Sequence, residues 1–96
     1  MNAKLLPTDR HSVFRLAPGL LLIFKRRGHH EAMHAHPNRQ RLRVLCGLLV
    51  VHTSRRTYRL GANDPPLILA AGRTHETRAV RDTWLVAERN PIGKGR

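Results

Sequence analysis

The chain has 96 residues, of which 41% are hydrophobic and 4% aromatic. This length allows one domain with one core, and the hydrophobic content excludes an intrinsically disordered chain. Eighteen Lys and Arg against six Asp and Glu give a formal net charge of +12, which favours nucleic acid, a small anionic molecule or an acidic protein as partner.

Short apolar runs separated by turn residues follow one another along the chain, a rhythm typical of all-β proteins. Residues 1–10 are expected to form an N-terminal lead-in and residues 90–96 a flexible basic tail. No segment has a sustained helical period, and nine strands are predicted: 12–16, 20–26, 31–36, 40–46, 48–53, 57–60, 67–70, 75–80 and 83–88. We therefore predict a single small antiparallel β-barrel or jelly roll over residues 11–89, because closing or half-closing the sheet hides its edges.

The second predicted strand is apolar on both of its alternating faces, from Leu20 to Phe24. One face can fill the barrel, whereas the other must be covered by a further layer or by a second subunit. We therefore expect a homodimer. Phe24 and Trp84 are predicted to be core residues.

The compartment is indicated by two features of the chain. Cys46 is the single cysteine, so no disulfide forms within the chain, which favours a reducing compartment. No apolar run is long enough to span a bilayer. We expect a cytoplasmic protein without a membrane partner.

A histidine pair, His34 and His36, stands at the end of the third predicted strand. Residues two apart in a strand share a face, so the two imidazoles can bind one metal ion. The alternative is two histidines on a polar face. The turn residues 37–39 then place Gln40 opposite His36, on the same face.

The alternation of the fourth predicted strand agrees with this placement. One face carries Gln40, Leu42, Val44 and Cys46, and the other carries Arg39, Arg41 and Arg43. We expect the first set to point inward and the arginines outward. Cys46 lies roughly 20 Å along the strand from Gln40, so it is interpreted as a buried apolar side chain and not as a ligand.

Residues 28–47 resemble the first motif of the cupin family, G(x)5HxH(x)3-4E(x)6G. Gly28, His34, His36 and Gly47 have the motif spacing, and Gln40 stands where the family usually has Glu. The second motif, G(x)5PxG(x)2H(x)3N, is matched in its later part. The sequence is thus identified as similar to small single-domain members of the RmlC-like cupin superfamily, many of which are dimers.

The second motif is the less complete of the two. Gly72 and His75 fit it, whereas Ala70 replaces the Pro and Ala79 replaces the Asn. The gap from Gly61 to Ala70 is also three residues longer than usual.

The resemblance implies a metal site. His34, His36 and His75 would be the three histidine ligands of one divalent transition metal ion (Zn, Fe, Mn, Ni or Cu), with Gln40 in the fourth ligand position. A neutral Gln40 leaves the ion its full charge, which favours an anionic ligand. No acid is expected to replace the Glu, because Glu31 and Glu76 have the wrong strand parity. A histidine-lined pocket without metal is the alternative.

Two further residues are candidates for ligand binding. Arg73 lies in the loop before His75, and His30 shares the parity of His34. The alternative for both is a solvent-exposed side chain. His11 and His52 have no partner in the sequence and are interpreted as surface histidines.

Three functions are compatible with these residues. The first is a metal-binding module for a small anionic ligand. The second is a metal-dependent cupin enzyme of dioxygenase or isomerase type, although no catalytic base is evident. The third is charge-driven nucleic-acid binding, which is not favoured because the sequence shows no recognition helix, no zinc-finger spacing and few aromatics for base stacking.

Overall fold

The computed structural model describes residues 11–89, which form nine β-strands and no helix. All nine predicted strands are confirmed, with ends that differ by no more than two residues. The predicted lead-in 1–10 and tail 90–96 lie outside the described residues. Across residues 11–89 no helix has the length and apolar character needed to cross a membrane. The strands are β1 His11–Ala17, β2 Leu20–Lys25, β3 His30–His34, β4 Gln40–Cys46, β5 Leu48–Thr53, β6 Thr57–Gly61, β7 Leu67–Leu69, β8 His75–Ala79 and β9 Thr83–Arg89.

The strands form two antiparallel sheets that face each other. The order is β1-β2-β9-β4-β7 in the five-stranded sheet and β3-β8-β5-β6 in the four-stranded sheet. The predicted all-β jelly roll is confirmed, as two separate sheets instead of one closed ring within residues 11–89. Apolar side chains from both inner faces meet between the sheets and form the core, as strand alternation requires. The core residues are Leu42, Val44, Leu49, Val51, Leu60, Leu69, Ala79, Leu85 and Ala87.

Strand β4 follows the predicted alternation over its first five residues. Gln40, Leu42 and Val44 are buried, whereas Arg41 and Arg43 are exposed. Arg39, just before the strand, is exposed as well. Strand β4 therefore points its guanidinium groups outward and its apolar groups inward up to Val44, as the sequence predicts.

The alternation ends at a register shift between Val44 and Cys46 in the β4–β9 ladder. Leu45 and Cys46 are both exposed, so the prediction of a buried Cys46 is wrong. A bulge places an extra residue in one strand and reverses the facing of the residues after it. Gly47 comes next with a φ of 100°, and a Cβ there would overlap the carbonyl oxygen of Asp82. The turn into β5 therefore needs glycine.

Aromatic side chains cluster on the outer face of the five-stranded sheet. The ring centroid of Trp84 lies 4.9 Å from that of Phe24 and 6.3 Å from that of Phe14. Phe24 and Trp84 alternate with the inward residues Ile23 and Leu85, and both are only half-buried. Their prediction as core residues is therefore wrong.

Candidate metal centre

Three histidines from two parts of the chain meet at one end of the space between the sheets. His34 and His75 are directly opposite each other in the β3–β8 ladder, with ring centroids 4.5 Å apart. His36 follows β3 and lies outside any strand. Its carbonyl oxygen accepts a hydrogen bond of 2.8 Å from the Gly72 amide, which fixes this segment beside β8.

The three rings bring one ligand atom each to a common point. These atoms all lie within 4.8 Å of one another, and Nε2 of His34 is 3.0 Å from Nε2 of His36. Two nitrogen ligands that each bind one ion at about 2.1 Å are about 3.0–3.4 Å apart. The spacing of His34 and His36 therefore suits a shared transition metal ion.

Backbone carbonyls determine which nitrogen of two rings carries the proton. Nδ1 of His34 lies 2.7 Å from the Ala32 carbonyl oxygen, and Nδ1 of His75 lies 3.2 Å from that of Arg73. Because a carbonyl oxygen only accepts, Nδ1 of each ring donates and Nε2 carries the lone pair. This arrangement is the usual one around a metal-binding histidine.

The electrostatic surroundings keep two of the imidazoles neutral. Burial lowers the pKa of His36, and the neighbouring His34 and Arg89 lower it further. Burial also lowers the pKa of His75, against the hydrogen bond to the Arg73 carbonyl, which raises it. Both rings are therefore available as neutral ligands at pH 7, as metal binding requires.

The triad opens into a cavity of about 270 Å³ between the two sheets. Its size is at the lower end of that of small-molecule sites. Seven of the sixteen lining residues are apolar, and five of these come from β2, β4 and β9. The polar and charged residues that line the cavity are His11, Lys25, Glu31, His34, His36, Gln40, His75, Thr77 and Arg89.

Comparison with known proteins agrees with this architecture. No protein-family model and no curated protein matches the sequence. An RmlC-like cupin from Shewanella frigidimarina matches with a TM-score of 0.68 and 17% identity, over 90% of this chain and 88% of its own. The chain has the cupin fold. A conserved protein of unknown function from Streptococcus pyogenes has the same TM-score of 0.68 at 20% identity, over 97% of this chain and 92% of its own.

A longer protein shares the fold as well. The DMSP lyase DddQ from Ruegeria pomeroyi gives a TM-score of 0.73 at 20% identity. The alignment covers 99% of this chain and 53% of the lyase, so this chain corresponds to about half of that protein. At such identities the likeness establishes the cupin fold alone.

Gln40, the departure from the cupin motif, lies in the same cavity as the triad. It begins β4 and is 5% exposed. Its amide is thus inside the protein, in the cavity that the three histidines also line. Direct ligation by Gln40, or contact through water, stays a prediction.

The expectation that no acid lies near the histidine triad is wrong, because Glu31 lies beside His34. Its Oε2 is 3.6 Å from Nε2 of His34, and its Oε1 accepts a hydrogen bond of 2.9 Å from Lys25. Glu31 and His34 are three residues apart and would face opposite sides of a regular strand. The β3–β8 ladder shifts register between them, so both side chains reach the same side. Burial by itself raises the pKa of Glu31, but the charge and hydrogen bond of Lys25 outweigh it and the net pKa lies below its ordinary value. Glu31 is therefore an ionised carboxylate.

Three other ionisable residues line the cavity without having been predicted there from the sequence. Lys25 continues the inward set of Leu21 and Ile23, and Arg89 continues that of Leu85 and Ala87. In both strands the alternation of inward and outward residues could have predicted that these side chains face the cavity. The third is His11, which is exposed as predicted but also lines the cavity, with Nδ1 3.2 Å from Nε2 of His29.

The two predicted ligand-binding residues do not line the triad's cavity. The Arg73 side chain lines shallow depressions beside Arg55 on the surface. The His30 ring is exposed, with Nε2 3.4 Å from Oε2 of Glu76. A role in ligand binding stays a prediction for both. His52 contacts the Thr57 hydroxyl at 2.8 Å, away from the triad.

Proposed function

We propose that this cupin-fold protein binds one divalent transition metal ion through Nε2 of His34, His36 and His75. The proposal is carried by the Nε2 lone pairs of His34 and His75, because a backbone carbonyl accepts a hydrogen bond from Nδ1 on the opposite side of each ring. Gln40 would be the fourth ligand or would bind a metal-bound water. Three nitrogens favour Zn, Fe, Mn, Ni or Cu over Ca or Mg, which prefer oxygen.

The metal would serve as a Lewis acid with its full charge, because all four side chains are neutral. The chain's own residues define the rest of the site. Lys25 holds Glu31 beside His34, apolar residues of β2, β4 and β9 exclude water from the inner wall, and Arg89 adds a positive charge. A small anionic molecule is the ligand that this charge pattern favours.

Elemental analysis of the purified protein tests the metal site. We expect about one transition metal ion per chain in the parent, and little in a His34→Ala/His36→Ala variant. A His30→Ala/His52→Ala variant is the matched control, because it removes two imidazoles that do not line the cavity. Equal metal contents in the two double variants would remove the assignment.

A metal-dependent cupin enzyme, of lyase, dioxygenase or isomerase type, is the second candidate. It is favoured by Glu31, an ionised carboxylate beside the triad that can accept a proton, and by the likeness to DddQ. Incubating the metal-loaded protein with DMSP and following loss of the substrate tests the lyase reaction. Turnover that disappears in the His34→Ala/His36→Ala variant would support an enzyme, and its absence in the parent would exclude this reaction.

Nucleic-acid binding is the remaining alternative, and it is supported by the net charge of +12 and the exposed arginines of β4. A titration of duplex DNA at rising salt distinguishes it. Tight binding that weakens steeply with salt would support contacts to phosphates, whereas a lack of binding even at low salt would exclude this function.

The homodimer and the cytoplasmic location remain proposals. The outer face of β2 stays half-exposed between Phe14 and Trp84, which supports a second copy as its cover. Light scattering on a size-exclusion column tests this assembly: a mass of one chain would contradict it.

A further inference from the structure

We infer that Arg89 binds the carboxylate of a small aliphatic acid inside the triad's cavity. This inference rests on the proposed metal centre for the identity of the site and adds the class of its ligand. Two cationic side chains, Lys25 and Arg89, line the cavity, together with one carboxylate, that of Glu31. Their different surroundings carry the argument.

Lys25 is already paired inside the protein. Its Nζ donates to Oε1 of Glu31 at 2.9 Å and to the hydroxyl of Thr77 at 3.3 Å. The positive charge of Lys25 and the negative charge of Glu31 therefore compensate each other. A ligand could therefore bind Lys25 or Glu31 only by breaking this ion pair.

Within residues 11–89, Arg89 has no such partner. Its Nε is buried and has no hydrogen-bond acceptor among residues 11–89. None of the ion pairs formed within that range includes Arg89. A buried guanidinium donor without an acceptor is destabilising, so the position favours an acceptor brought in by a ligand.

The position of Arg89 relates it to the missing acid of the motif. Arg89 is directly opposite Gln40 in the β4–β9 ladder, and residues opposite each other point to the same face. A glutamate at residue 40 would meet the guanidinium, whereas the amide of Gln40 leaves its charge uncompensated. Arg89 also acts electrostatically on His36, so its charge is close to the triad.

The surroundings select the kind of anion. A planar guanidinium matches a carboxylate with two parallel hydrogen bonds. The inward residues that precede Arg89 on β9 are Leu85 and Ala87, and Leu42 lies beside them on β4. With a volume of about 270 Å³, the cavity suits a short aliphatic tail. We therefore assign a small aliphatic monocarboxylate as the ligand class.

Calorimetric titration of the zinc-loaded protein with acetate, propionate, isovalerate and hexanoate tests the ligand class. At least one of these acids should bind, and isovaleramide, the neutral isostere of isovalerate, should bind about tenfold or more weakly than isovalerate. Equal affinities for isovalerate and isovaleramide, or no binding of any of the four acids, would overturn the inference.

Variants of the two arginines test the assignment to Arg89. Arg89→Gln should weaken isovalerate binding by about 10- to 100-fold with an unchanged zinc content, and Arg89→Lys should restore part of it. Arg43→Gln is the matched control, since its side chain is exposed on the outer face of β4, and it should bind like the parent. Parent-like affinity in Arg89→Gln would sink the inference.

A second variant keeps the test valid if Arg89→Gln fails to fold. Gln40→Glu places a carboxylate opposite Arg89 and should weaken isovalerate binding by about tenfold, because the guanidinium is then paired within the protein. Unchanged isovalerate affinity in Gln40→Glu would contradict the role of Arg89.

A metal-free sample separates the two proposals. If the parent contains no zinc but binds isovalerate in an Arg89-dependent way, the metal centre fails and the carboxylate site stands. If zinc is present and isovalerate binding does not depend on Arg89, the metal centre stands and the carboxylate site fails.

Discussion

The two walls of the cavity are built differently. On the β4–β9 wall the alternation is unbroken where it lines the cavity, and residues such as Gln40, Leu85 and Arg89 face inward in strict sequence. On the β3–β8 wall a register shift separates Glu31 from His34, and His36 lies beyond the end of the strand. The regular wall thus gives the cavity its shape and one cationic side chain, Arg89. The irregular wall brings the histidine triad and Glu31 to one point, although Glu31 and His34 have different parity along the chain.

A substitution in the core of the regular wall should cause the largest loss in the free energy of unfolding. Leu85 is 2% exposed, whereas Leu45, just past the β4 bulge, is 46% exposed. We expect Leu85→Ala to lower the free energy of unfolding by about 2–5 kcal/mol and Leu45→Ala by less than about 1 kcal/mol. Urea unfolding measures both. Similar losses in the two variants would mean that the bulge does not turn Leu45 outward.

The second-largest loss of stability is expected at the ion pair between Lys25 and Glu31, next to the irregular wall. The side chain of Lys25 is 5% exposed and that of Glu31 is 39% exposed. Glu31→Gln leaves a buried ammonium without its counter-charge, and we expect a loss of about 1–3 kcal/mol in the free energy of unfolding, less than for a fully buried pair.

Two variants control for the loss of charge alone. Glu88→Gln breaks the pair with Arg41, in which the side chains are 53% and 55% exposed, and should change the free energy of unfolding by less than about 1 kcal/mol. Lys25→Met added to Glu31→Gln should recover part of the loss, since it removes the stranded charge. An equal loss in Glu31→Gln and Glu88→Gln would show that Lys25 is solvated.

The sequence was sufficient for the regular parts of the molecule. Alternation located all nine strands and the inward set of β4, and the motif spacing of His34, His36 and His75 identified three side chains that the fold brings together. Where a strand contains a bulge, counting by two gives the wrong face, which is why Glu31 and Cys46 were assigned incorrectly. No single sequence signals such a shift, because it depends on how the partner strand pairs.

The next prediction concerns how the free energy of unfolding of the metal-free protein depends on pH. The pKa values of His36 and His75 lie below the ordinary value of 6.5, so the unfolded chain binds protons there first as the pH falls. The free energy of unfolding should therefore decrease as the pH drops below about 6.5, and further below the ordinary value of 4.5 for Glu31, whose pKa is also lowered.

Urea unfolding of the chelator-treated protein between about pH 7.5 and pH 5 measures this slope. A His36→Gln/His75→Gln variant, which lacks the two titrating rings, should show a shallower slope over the same interval. If parent and variant have the same slope, the two imidazoles titrate alike in the folded and unfolded chains.

The smallest effect is expected at Cys46. Because its side chain is exposed past the bulge, Cys46→Ser should change the free energy of unfolding by less than about 0.5 kcal/mol. Iodoacetamide should also alkylate the thiol in the folded protein, as followed by mass spectrometry. If the thiol reacted only after unfolding, Cys46 would be buried, and its placement on the outer face would be wrong.

The loop before β8 links the two parts of the triad through its backbone. The Gly72 amide binds the carbonyl oxygen of His36, and the Arg73 carbonyl orients the ring of His75. A change in this one loop therefore displaces two histidines of the triad that are far apart in the sequence. Retention of the proposed ion would consequently be governed in part from the protein exterior, and the rate of hydrogen–deuterium exchange at the Gly72 amide would be a local gauge of whether that ion is held.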